Sequence, residues 1–202
     1  MTANEEDWGG GSRRGDRKES LLKATFDIVA AEGFEGLRTR AIATRAGVNI
    51  ATLHYYYPTK EELIGDFALY LGELFQSTHA PPVPSTGRPG LDRLRQEFAD
   101  AAFLLTDRQD LLVVLREVEL RATRDAVVKQ HLDLTLRYWR QHLRDLVKAG
   151  LEDGSFRPEV DLDQATSTLL ALFNGLPSVG PEGVQSIQQM VEQWLVRPEA
   201  GA

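Results

Sequence analysis

The sequence predicts an all-α fold, and three observations support this. Apolar residues recur at three- and four-residue spacing along most of the chain. Capping residues, glycines and prolines divide these stretches into segments of helical length. No segment alternates between apolar and polar residues in the way a half-buried strand does. With 202 residues, 42% of them apolar, the chain has material for one large domain or two small ones. We expect about nine helices.

The N-terminal part predicts a polar tail followed by the first helix. Residues 1–15 are polar and Gly-rich without periodicity, so we expect them to be a disordered tail. Asp16 has the position of an N-cap, with Glu19 at the spacing of a capping box. Gly33 lies where a glycine in the left-handed conformation would end the helix.

Three more helices follow in quick succession. Thr39 is placed to cap a short second helix, and Asn49 to cap a third after a turn at Gly47. Pro58 must end that third helix, because a proline disfavours the helical conformation of the residue before it. Thr59 then opens a longer fourth helix.

The second half of the chain begins after a loop at 79–90 that contains four prolines. Helical spacing then returns, and the last three helices are predicted at about 125–149, 161–176 and 181–196. Asp161, with Gln164 three residues on, is placed to cap the second of these. We therefore assign residues 16–75 to one domain and 76–202 to a second, also helical, domain.

The charge distribution favours a protein that touches nucleic acid with one end. The net charge is -7, yet residues 13–60 carry nine Lys and Arg against five Asp and Glu. The chain has no cysteine, and its four histidines show no metal-ligand spacing. Without a signal peptide or an apolar run of about eighteen residues, we expect a cytoplasmic protein that is no enzyme and needs no cofactor or metal.

The segment 39–60, TRAIATRAGVNIATLHYYYPTK, predicts a helix-turn-helix motif at about 38–57. Its third helix places Leu53 and Tyr57 on an inner face. Small, hydroxyl and imidazole groups remain outside, where a groove of DNA could meet them. The same pattern also fits a helical protein whose tyrosines lie at the edge of the core, so the residue pattern alone leaves both interpretations open.

The stretch from Arg17 to about Leu74 resembles the DNA-binding domain of the TetR family of bacterial transcription regulators. The resemblance lies in the run EGFEGLRTRAIATRAGVNIATLHYYYPTKEEL. This chain has His54 where the family usually has Tyr, and Tyr57 where it usually has Phe. The resemblance implies DNA contacts from Thr39, Arg40, Asn49, Ile50, Ala51, Thr52, His54, Tyr55 and Lys60. Arg13, Arg14, Arg17 and Lys18 form either a basic arm on the phosphates or a solvated tail.

The resemblance also implies a homodimeric repressor that leaves a palindromic operator when a small-molecule effector binds. Two chains would pair through the last two helices, and we expect Leu169, Leu172, Phe173, Ile187, Val191 and Trp194 at the interface. A mixed polar and apolar face of the 125–149 helix predicts an effector pocket lined by Glu117, His131, Leu134, Tyr138 and His142. Buried, satisfied side chains are the alternative for these residues. Two alternatives remain for function: a regulator without a small-molecule effector, and a helical small-molecule-binding protein.

Overall fold

The computed structural model describes residues 10–198, with side chains from residue 15 onward. Over this range the chain forms eight α-helices and a 3₁₀ turn at Phe34–Gly36, and the only β-structure is an isolated bridge between Phe156 and Val196. The all-α prediction is therefore confirmed. The helices are α1 (Gly10–Glu32), α2 (Thr39–Arg45), α3 (Ile50–Tyr56), α4 (Lys60–Ser77), α5 (Pro89–Thr106), α6 (Gln109–Ala122), α7 (Ala126–Glu152) and α8 (Leu162–Leu195).

The predicted count of nine differs from eight because the last two predicted helices form one element. α8 runs from Leu162 to Leu195 and breaks at Gly180, which has a φ of 69° between Pro177 and Pro181. Each proline lacks a backbone N–H, and the glycine supplies the positive φ. The helix therefore bends at this point without a connecting loop.

Two predicted helix starts are wrong. α1 begins at Gly10, so Asp16 lies inside the helix, while residues 1–9 of the predicted tail lie outside the described range. Thr39 is the first residue of α2, and the N-cap is the extended Arg38. Both errors have one cause: polar residues that favour the cap also occur within the first turns of a helix, so the residue type does not fix which position is the cap.

The other predicted caps form as expected. Gly33 has a φ of 66°, and its N–H donates to the Val29 carbonyl at 3.0 Å directly after α1. Three side-chain caps each accept a backbone N–H that the helix leaves unpaired: Asn49 from Thr52 at 2.7 Å, Thr59 from Glu62 at 3.2 Å and Asp161 from Gln164 at 2.8 Å.

The chain divides into two compact units. Within the described range, the first comprises residues 10–73 together with 113–132, and the second comprises 74–112 together with 133–198. The contiguous domain predicted at 76–202 does not anticipate that 113–132, the end of α6 and the start of α7, belongs with the N-terminal helices. Contacts between residues far apart in the sequence explain why 113–132 belongs to the first unit. The Phe34 N–H donates to Glu117 at 3.4 Å, and Gly65 leaves room for His131 against α4.

Each unit has its own apolar core. In the first, Leu21, Ile28 and Phe67 are fully buried, and Phe34 meets Phe67 edge to ring with centroids 6.5 Å apart. In the second, α5 packs on α8, with the Phe98 and Phe173 rings 4.9 Å apart. None of the described helices combines the length and apolar character that a bilayer span requires.

Candidate nucleic-acid interface

The turn between α2 and α3 depends on one glycine. Gly47 has a φ of 69°, and a Cβ built at this position would meet no atom within 4 Å. The demand for glycine is thus conformational and not steric. The turn is closed by two backbone hydrogen bonds, from Gly47 N–H to Thr44 at 3.2 Å and from Val48 N–H to Ala43 at 2.9 Å. This geometry fixes the direction in which α3 leaves α2.

Asn49 holds the start of α3. Its Oδ1 accepts the Thr52 backbone N–H at 2.7 Å and the Thr52 hydroxyl at 2.9 Å. The hydroxyl proton of Thr52 is therefore used inside the protein, and its methyl group is what it offers outward. The Asn49 amide nitrogen keeps its two donors for a ligand.

The inner face of the motif is apolar and buried. Ile42, Ala43, Leu53 and Tyr57 are each at most 2% exposed. Because α3 has only seven residues, these anchors determine which of its side chains remain outside. The predicted inward placement of Leu53 and Tyr57 is what the structure has.

The predicted DNA contacts lie on α2, α3 and the first turn of α4, all in the first unit. Tyr55 is 67% exposed, and its ring meets Tyr56 edge to face with centroids 5.2 Å apart. Ile50 and Thr52 are half-buried. The remaining predicted residues are exposed: Thr39, Arg40, Asn49, Ala51, His54 and Lys60.

Of the four residues of the predicted N-terminal basic arm, the structure describes the side chains of two, Arg17 and Lys18. Lys18 forms an ion pair with Asp66 at 2.5 Å, and its Nζ lies 5.8 Å from the centre of the Tyr57 ring. This lysine belongs to the folded unit and not to a free arm. Arg17 is exposed on α1, whereas the side chains of Arg13 and Arg14 lie outside the described range.

The five predicted effector residues are divided between the two units. Glu117 and His131 belong to the first unit, where Glu117 accepts the Phe34 N–H. Leu134, Tyr138 and His142 belong to the second unit, and Tyr138 is 62% exposed. The sequence pattern places Leu134, Tyr138 and His142 on one helix, as the structure does. It contains no sign that the boundary between the two units falls within that helix, between residues 132 and 133.

His142 is engaged with a carboxylate. Its Nε2 lies 2.5 Å from Glu97 Oε1 on α5, and this hydrogen bond raises the pKa of the imidazole above its ordinary value. Partial burial opposes the shift. The residue therefore carries charge at a higher pH than a free histidine would.

The sequence reasoning missed a groove in the first unit, beside α4. Its walls include Glu62 and Asp66, which are four residues apart and therefore lie on one face of the helix. This four-residue spacing of two carboxylates is the one feature of the sequence that could have indicated the groove.

Two known protein families match this chain, one over the N-terminal part that contains the helix-turn-helix motif and one over the helical remainder. Residues 21–66 match the family described as bacterial regulatory proteins, tetR family. Residues 90–197 match the family described as BetI-type transcriptional repressor, C-terminal. The chain belongs to the TetR family.

Known proteins are similar to this TetR-family chain over most of its length. The HTH-type transcriptional repressor KstR2 of Mycolicibacterium smegmatis is 26% identical over 189 residues, which covers 91% of this chain and 89% of the relative. A TetR transcription regulator from Haloarcula marismortui superposes with a TM-score of 0.76 at 24% identity, covering 91% of this chain and all of the other. A putative regulator from Saccharomonospora viridis, solved in complex with choline, gives 0.72 at 17% identity, again over 91% and 100%.

The TetR-family assignment establishes the class of protein. This protein is a DNA-binding transcriptional regulator, and the family consists of regulators and not of enzymes. Among the described residues, no three His, Asp or Glu side chains are grouped to hold a metal ion.

Proposed function

We propose that this regulator is a homodimeric repressor that binds a palindromic operator and leaves it when a small-molecule effector binds. The observation that carries the proposal is the construction of α3. Its apolar side is anchored by Leu53 and Tyr57, and its opposite side is exposed. A second copy would place another α3 roughly 34–36 Å away, one turn of DNA along the same face.

Each side chain of the exposed face has a distinct task in this proposal. Ala51 and the Thr52 methyl let the backbone approach the bases and contact thymine methyl groups. His54 and Tyr55 donate to phosphates, and Lys60 adds a charge at the start of α4. Thr39 and Arg40 fix the position of α2 on the backbone, while Asn49 Nδ2 and Ile50 meet the groove edge at the start of α3.

We infer a dimer interface that keeps Trp194 but otherwise differs from the one expected from the sequence. Leu169, Phe173 and Val191 are at most 8% exposed within a single chain, so they are core residues and cannot be main contacts to a second copy. Leu172 and Ile187 pack partly against the same core. The large apolar side chains that α8 leaves exposed are Val179, Met190 and Trp194, at 49%, 52% and 40%. We assign the interface to these three residues because exposed apolar surface on a helix favours association.

An effector in the second unit is supported by the relatives and by the chemistry of α7. The KstR2 relatives are repressors, and a protein of this fold has been solved with a bound small molecule. Leu134, Tyr138 and His142 give α7 an apolar and hydrogen-bonding surface in that unit. An effector acts only if it binds the DNA-free conformation more tightly. Such a regulator works in the cytoplasm, where its operator is.

The deciding experiment is selection of bound sequences from a random duplex library with the purified protein. Enrichment of an inverted repeat with half-sites one turn apart supports the proposal. A folded, dimeric protein that enriches no sequence contradicts it. Operator affinity that stays unchanged across a panel of metabolites would indicate a regulator without a small-molecule effector.

Matched variants test the surface itself. Tyr55→Ala with Lys60→Ala should weaken operator binding and lower the salt slope by about 1, because one lysine–phosphate contact is lost. Lys148→Ala, which removes an exposed lysine from α7 outside the proposed effector surface, should leave both quantities unchanged. An equal effect of Lys148→Ala and of the double variant would show that α3 is not the DNA-binding surface.

A further inference from the structure

A small pocket lies where α2, α3 and α4 of the first unit meet. All of its lining residues fall between 37 and 63, so the pocket belongs to the first unit alone. Its volume is about 50 Å³, which is room for about three water molecules. A flat nucleic-acid base is too large for this space, whereas one edge of a sugar ring fits into it.

The inner walls of the pocket are apolar. Four of the lining side chains are hydrophobic and at most 6% exposed: Leu37, Ile42, Leu53 and Leu63. Tyr57 also lines the pocket, but its hydroxyl has no accessible surface and therefore offers a ligand no hydrogen bond. A polar group that entered this space would lose water without gaining a partner, which is costly. The pocket therefore selects a hydrocarbon edge.

The rim of the pocket carries hydrogen-bond donors from three helices. Thr39 is the first residue of α2, His54 lies on α3, and Lys60 is the first residue of α4. All three line the pocket and are exposed. Hydroxyl, imidazole and ammonium groups each donate to phosphate oxygens, and the ammonium group adds a positive charge. A backbone phosphate held by these groups would bring its own sugar to the mouth of the pocket.

We propose that this pocket binds the C2′ edge of one operator deoxyribose in each half-site and thereby excludes ribose. The inference rests on the DNA contacts proposed above for Thr39, His54 and Lys60, and adds a sugar specificity that phosphate contacts do not provide. DNA and RNA have the same phosphates, and the 2′-hydroxyl is what distinguishes them. A C2′ methylene in the pocket buries apolar surface, whereas a 2′-hydroxyl would be desolvated among leucine side chains.

The test is a sugar scan of the duplex that the library selection enriches, with the full-length wild-type protein. Each deoxynucleotide is replaced in turn by its ribonucleotide, and the Kd is measured by fluorescence anisotropy. One position in each half-site should lose affinity about tenfold. At that position a 2′-fluoro nucleotide should bind within about threefold of the unmodified operator, because it favours the sugar pucker of ribose but has no hydroxyl to desolvate.

Two results of the scan would overturn the sugar assignment. One is an operator without any ribose-sensitive position. The other is an equal loss with ribose and with 2′-fluoro sugars, which would assign the effect to sugar pucker. A protein that enriches no duplex fails at the earlier selection and contradicts the proposed repressor itself, so the two failures are distinguishable.

Variants connect the sensitive position to the pocket. Leu37→Ala widens the pocket, so water can accompany the hydroxyl, and the ratio of ribose to deoxyribose Kd should fall to about threefold or less. Because both values come from one variant, a general loss of affinity or stability cancels. Leu69→Ala is the matched control, since Leu69 is 44% exposed on α4 and does not line the pocket; its ratio should stay at about tenfold. An unchanged ratio in Leu37→Ala, or an equal fall in both variants, would place the ribose-sensitive contact elsewhere and overturn the assignment.

Discussion

Replacing Tyr57 by Phe should make the protein more stable. The change removes one oxygen atom from a position that is 2% exposed and keeps the ring that packs below α3. The hydroxyl has no hydrogen-bond partner among the described atoms of the folded chain, whereas in the unfolded chain it is hydrated. Folding therefore costs the desolvation of a polar group, and the phenylalanine variant avoids that cost.

The size of the effect follows from the surroundings of the hydroxyl. An unsatisfied buried polar group costs about 1–3 kcal/mol. Burial contributes most to the raised pKa of the hydroxyl, and the Asp66 carboxylate adds to it through its charge and as a hydrogen-bonding neighbour. This carboxylate therefore compensates part of the desolvation, and we expect the lower end, about 1 kcal/mol. Removal of the oxygen leaves a space smaller than a methyl group, so the cavity cost is minor. For a chain of this length the gain corresponds to a rise in Tm of about 2–4 °C.

Urea denaturation followed by circular dichroism, at matched protein concentration, measures this gain. Tyr138→Phe is the control, since the Tyr138 side chain is 62% exposed and its hydroxyl should contribute less than about 0.5 kcal/mol. A loss of stability in Tyr57→Phe of about 0.5 kcal/mol or more would refute the reasoning. It would show that the hydroxyl has a partner in the folded protein.

Three further predictions follow from local geometry. Asn49→Ala removes the cap that accepts two hydrogen bonds from Thr52 and should lower the free energy of unfolding by about 1 kcal/mol; Asn49→Asp should keep the stability but weaken DNA binding, because the carboxylate repels phosphate. Gly47→Ala forces alanine to a φ of 69° and should cost about 1 kcal/mol, whereas Gly175→Ala, at a helical position with open space, should gain up to about 1 kcal/mol in the same denaturation assay. The raised pKa of His142 beside Glu97 means that this pair stabilises the fold fully below the ordinary histidine pKa of 6.5 and stops doing so as pH rises through the folded value. Stability measured between about pH 6 and 8 should therefore fall more in the native protein than in His142→Gln, and equal slopes would contradict the assignment.

The parts of the fold that the sequence predicts well are those set by a few adjacent residues. Gly33 adopts the expected positive φ and Gly47 lies in the expected turn, and Asn49 and Asp161 cap their helices as expected. A cap needs only its own side chain and the backbone two or three residues on, so the local pattern contains the whole cause. The start of α1 was predicted wrongly because several polar residues near Gly10 satisfy the same local pattern, so the pattern does not identify one cap.

The parts that the sequence predicts poorly depend on contacts between distant residues. An apolar residue at helical spacing on α8 has the same pattern whether it faces its own chain or a second copy. Leu169 and Val191 turned out to be core, while Met190 is half exposed. The groove has the same origin, because it exists only where Gly65 of α4 meets His131 of α7. Residues 66 positions apart leave no joint signal in one sequence.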